Sequence, residues 1–160
     1  MNTATQTPPI HPNRTRPSTD SVCLSFPNDA RCAARLRSTT RSFLRRTRPG
    51  DRALLADALL VVTELAANVV QHTDGPGRLT LTSHRHAIGI DVSDTSRTPP
   101  TVVPLSSESV HGRGLLLVAA LTDSLTLTLD PGSGKTVHAL LPDRSATPAP
   151  RPSARPCRTW

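Results

Sequence analysis

Aromatic side chains are nearly missing: the 160 residues contain no tyrosine, two phenylalanines and one tryptophan. Sequence-tolerant binding of single-stranded nucleic acid leans on aromatic rings that stack with bases, so that function has almost nothing to use. Cysteine is scarce too. Cys23, Cys32 and Cys157 are odd in number and lack the spacing of a metal site, which leaves no disulfide framework and assigns the thiols to plain packing or to the tails. No apolar run approaches the roughly 20 residues that cross a bilayer, and the first residues do not read as a signal peptide. The expected setting is the reduced cytoplasm, with no membrane partner. Acid is absent from one long stretch. Arg31, Arg35, Arg37, Arg41, Arg45, Arg46 and Arg48 follow one another without an Asp or Glu between them, and because the net charge is +7 the rest of the chain sums to zero. Clustered cations suffice to neutralise phosphates. With so few aromatics, however, the reading is a solvated helix face or one that docks an acidic protein, without direct nucleic-acid binding.

What is present is unevenly spread. Residues 1–20 and 142–160 hold nine of the sixteen prolines, with Ser, Thr and Arg between them. Such segments cannot bury enough apolar area to offset their ordering entropy, so both are expected to be disordered tails. At 36% apolar overall, residues 21–141 make one globular domain with a core. "SVCLSFP" alternates as a strand, and Asn28 or Asp29 is the expected N-cap of a helix running to about Arg48, where Pro49 and Gly50 stop it. A second helix from Asp51 places Leu54, Leu55, Ala58, Val61, Val62, Leu65 and Val69 on one stripe and ends before "TDGPG". "RLTLTSH" and "AIGIDVS" form a hairpin, "GLLLVAALTD" a short helix, and "SLTLTLD" with "KTVHALLP" a closing pair of strands. The order β-α-α-β-β-loop-α-β-β predicts an α+β two-layer sandwich, with helices gathered on one side of a mainly antiparallel sheet.

Three constellations carry chemistry. In "VTELAANVVQHTDG", Glu64, Asn68 and His72 are spaced i, i+4, i+8 and share one side of the helix. Glu64 and Asn68 flank the apolar stripe, which puts an acid and an amide at the edge of a cleft, where together they suit a magnesium ion; an ordinary polar helix flank is the plainer alternative. "DVSDTS" sets Asp91 and Asp94 at a strand end, where a carboxylate aimed into an apolar slot can accept from the exocyclic amine of a purine, although acids at strand ends are also common turn residues. In "HGRGLLLV" two glycines flank Arg113 at a helix start, a pattern that lets backbone amides approach an anion and adds a planar donor set for phosphate oxygens. "GSGKT", residues 132–136, lacks the glycine a P-loop needs at Leu129 and precedes a strand instead of a helix, so it reads as a hairpin turn.

In order, "ELAANVVQH", "DVSDTS", "HGRGLLLVAALTD" and "GKTVHALL" resemble the anti-sigma regulatory factor and serine/threonine protein kinase-like branch of the Bergerat-fold (histidine-kinase-like) ATPase superfamily. That resemblance implies a Bergerat ATP-binding fold over residues 21–141, with ATP and Mg2+ as cofactors. It implies Asn68 as the metal ligand, Glu64 as the catalytic carboxylate that activates the attacking group, and Asp94 as the adenine reader, supported from the neighbouring strand by Thr136. Gly112, Arg113 and Gly114 would cradle the phosphates under a lid formed by Thr95 to Val110. Ser96 stands where the wider superfamily favours glycine. The implied partners are a sigma factor and an anti-sigma factor antagonist protein, with a homodimer by analogy. The function expected is phosphoryl transfer from ATP to Ser or Thr of the antagonist; the alternative is a kinase-inactive module that regulates by sequestration.

Overall fold

The computed structural model describes residues 20–96, 113–130, 132 and 134–144; residues 1–19 and 145–160 of the expected tails, Cys157, Gly112 and the lid beyond Ser96 lie outside them, whereas Pro142 closes the last strand and Asp143 is buried against Arg48, so the folded unit runs past the expected limit at residue 141. Eight elements follow one another: β1 (Ser21–Phe26), α1 (Cys32–Thr47), α2 (Arg52–His72), β2 (Gly77–Ser83), β3 (Ala87–Asp94), α3 (Arg113–Leu121), β4 (Ser124–Asp130) and β5 (Gly134–Pro142). The strands form one sheet in the order β1-β2-β3-β5-β4, antiparallel throughout. Because side chains alternate along a strand, Leu79, Leu81, Ile88, Ile90, Val92, Ala139 and Leu141 all turn to one face, where they are buried. The helices cover that face. Arg78, Thr80, Asp91, Ser93, Thr136 and His138 occupy the other, helix-free face, as their register requires. The chain is the expected α+β two-layer sandwich.

The helix limits follow local chemistry. α1 begins later than its sequence suggests, because neither expected cap is used as one. Asp29 folds onto the next turn, accepting from the Arg31 amide at 2.9 Å, and the Asn28 amide donates to the Thr73 carbonyl, tying the entrance of α1 to the exit of α2. Arg31 occupies the cap position with no side-chain bond. Gly50, at φ +84°, turns the chain between the helices. Asp51 then caps α2, accepting from the Leu54 amide at 2.9 Å.

α2 is the central beam. It is 21 residues long and apolar enough by length and composition to cross a membrane, contrary to the expectation that no segment approaches that length. One stripe of it packs inside the protein: Ala58, Val61 and Val62 are fully buried and Leu54, Leu65 and Val69 nearly so, while Leu55 is half-buried and Leu60 is exposed. Arg48 corrects the picture of a purely solvated arginine face. Its Nε donates to Asp143 Oδ2 at 2.6 Å, one Nη to Ser83 Oγ at 2.9 Å and the other to the His84 carbonyl, so it clips the α1–α2 corner to the β2–β3 turn and the end of β5. The remaining six arginines stay exposed or half-exposed along α1 and its entrance.

Candidate functional site

Glu64 and Gly114 meet. A Cβ placed on Gly114 would lie 2.1 Å from Glu64 Oε2, closer than any real contact, so the carboxylate occupies the space that a side chain at the start of α3 would take. The first-turn amides of a helix lack intrahelical partners. The contact therefore brings an acid to the kind of helix start whose amides can serve an anion. Asn68 stands one turn further along α2, half-buried like Glu64. Arg113 opens α3, its side chain lying outside the described residues, as does Gly112. Among the described residues no group of three His, Cys, Asp or Glu converges as a metal site. An ion here would take oxygens from Asn68 and from its ligand, which suits Mg2+, a cation that keeps several waters and substrate oxygens.

The other end of the site lies where β3 finishes. Thr95 is pressed against the α2–β2 turn so closely that a Cβ on Gly75 would sit 2.0 Å from its Oγ1, and this sets the ends of α2 and β3 side by side. From Glu64 to His72 the helix rises about 12 Å. Asp94, the last residue of β3, turns to the helix-covered face with its side chain only 4% exposed; Oδ1 accepts from the Ser96 amide at 2.8 Å and Oδ2 lies 3.1 Å from Lys135 Nζ, itself 6% exposed. A cavity of about 390 Å3 at this sheet end is lined by Gly77, Ser93, Asp94, Thr95, Lys135 and Thr136, with neighbouring residues of β1 and β2. Its lining does not include Glu64, Asn68 or Gly114.

One expected contact is overturned. Thr136 pairs across the ladder with Ser93, not Asp94, and its hydroxyl donates to Ser93 Oγ at 3.0 Å on the helix-free face. Asp94 is opposite Lys135. Thr136 thus shares the cavity with Asp94 but does not support its carboxylate. Reading from sequence missed Lys135 because only the β3–β5 register decides which of two adjacent side chains faces the acid. It also missed Gly134, which has φ +117° and on which a Cβ would lie 1.9 Å from the Asp94 carbonyl. β4 and β5 pair antiparallel, with Gly134, Lys135 and Thr136 of "GSGKT" at the start of β5, as expected of a hairpin.

A model of the histidine kinase-like ATPase domain family matches residues 26–140, from the end of β1 into β5. Among curated proteins no match is found.

Proposed function

The chain belongs to the histidine kinase-like ATPase domain family, and on that premise we propose that it is a regulatory protein serine/threonine kinase whose substrate is an anti-sigma factor antagonist and whose second partner is a sigma factor. The observation that carries the reading is the contact of Glu64 Oε2 with Gly114 in the first turn of α3, since it sets a proton acceptor beside the helix start that would receive the triphosphate. The base would reach toward Asp94, with α2 spanning the distance between the two ends. Asn68 would hold Mg2+, and the ion bound there would neutralise charge on the phosphate oxygens. Glu64 would orient a partner hydroxyl and take its proton. The hydroxyl oxygen bonds to the γ-phosphorus as the bond from the γ-phosphorus to the bridging oxygen breaks, and ADP leaves with that electron pair.

A second reading is regulation by sequestration without transfer. It draws on Ser96, whose amide is committed to Asp94 Oδ1 at a position where glycine would leave the backbone freer. The test is transfer from γ-labelled ATP, with Mg2+, to candidate antagonist proteins by the wild type and by Glu64→Ala. Label on a Ser or Thr of the partner with the wild type, and none with the variant, is expected. Label absent with a folded wild type that binds both ATP and partner would remove the kinase and leave sequestration.

A further inference from the structure

Lys135 is a buried cation that the reading above does not use. Its ammonium and the Asp94 carboxylate, 6% and 4% exposed, stand 3.1 Å apart on the wall of the 390 Å3 cavity. A cavity of that size is within the range that takes a small-molecule ligand. A carboxylate alone can only accept, so it suits the exocyclic amine of adenine and repels a carbonyl at the same ring position. The pair behaves differently. Lysine has three N–H donors and no acceptor, so the single 3.1 Å contact with Asp94 Oδ2 does not by itself use them all. Asp94 has Oδ1 engaged by the Ser96 amide, which leaves Oδ2, beside Lys135, as its reading edge. The couple therefore offers a donor next to an acceptor. Adenine meets that pattern with its ring nitrogen N1 and its amine; a 6-oxopurine meets it equally well, its O6 accepting from Lys135 while its N1–H donates to Asp94.

We propose that Lys135 is a second base-reading residue, which makes the nucleotide site accept guanine nucleotides alongside adenine nucleotides. The proposal rests on the assignment of Asp94 as base reader. Gly134 supports it structurally, since its positive φ and its closeness to the Asp94 carbonyl hold the start of β5, and so Lys135, against the end of β3.

The test is equilibrium binding of ATP and GTP, each with Mg2+, to the full chain, to Lys135→Met and to Lys135→Arg. The wild type should bind the two nucleotides within about tenfold of each other, and Lys135→Met should weaken GTP relative to ATP by at least about tenfold, because a carbonyl facing a lone carboxylate has lost its donor. Lys135→Arg, which keeps a donor, should preserve the wild-type ratio. Should Lys135→Met fail to fold, the wild-type ratio and the Arg variant still decide. ATP binding with GTP about a hundredfold weaker in the wild type, or a ratio unmoved by Lys135→Met, would overturn the role of Lys135 alone. Binding of neither nucleotide would instead overturn the nucleotide site itself.

Discussion

At Gly114 a single added methyl group would act on the site directly. Gly114→Ala forces Glu64 Oε2 out of a position 2.1 Å from the new Cβ. Half-exposed Glu64 can swing away, so the loss should fall on nucleotide use more than on folding. Phosphoryl transfer is expected to drop by roughly a hundredfold or more, the scale of a misplaced catalytic group, while the melting temperature changes little; a full unfolding or an unchanged rate would contradict the placement. Cys32 supplies a pH dependence. Burial pushes its thiol above the ordinary cysteine value, and the charge on Asp29 adds to the effect. The protonated thiol is the form the fold prefers, so its contribution is complete below the unfolded pKa of about 8.5 and is lost as pH rises toward the higher folded value. Urea midpoints measured from pH 7.5 to 10 should therefore fall more steeply for the wild type than for Cys32→Ala, and equal slopes would show that the thiol is not held protonated.

At the scale of elements, the joints matter more than the helices they join. Arg48 connects three segments through a guanidinium only 17% exposed, against an Asp143 carboxylate 6% exposed. Arg48→Ala should cost on the order of 2–3 kcal/mol by chemical denaturation, since it strips a charged partner from a nearly buried acid. Asp51→Ala, the loss of one cap, should cost about 1 kcal/mol; if both variants cost the same, the clip is no stronger than an ordinary helix cap. Element identity was legible in the sequence because apolar spacing decides it: period two in "AIGIDVS", a continuous stripe in α2, and a glycine stop at Gly50. The beginning of α1 was not legible, because Asn28 is drawn to the Thr73 carbonyl, 45 residues away. The same limit applies to the site. The Glu64–Asn68 face could be read from helical spacing alone, whereas the Lys135–Asp94 pair depends on a register between strands separated by α3 and β4.

For the whole molecule, the sheet has one covered and one open polar face, and the positive charge concentrates on α1. Six arginines there face solvent wholly or in part, with Asp29 paired to Arg31 at their edge. A partner recruited by this face should be acidic, and its association should slow as salt is raised from 50 to 300 mM, because exposed charges are screened beyond about 10 Å at 0.1 M salt. Arg35→Glu with Arg45→Glu should weaken that association without altering nucleotide affinity; loss of nucleotide binding in the double variant would show that the two surfaces are not separate. The most direct test of the central assignment is titration of the full chain with ATP in the presence and in the absence of Mg2+, followed by the same titration of Asn68→Ala. Saturable one-site binding that weakens when Mg2+ is removed, and that loses its Mg2+ dependence in Asn68→Ala, is the expected result; a folded wild type that shows no saturation with ATP, or the same Mg2+ dependence in the variant, would contradict it.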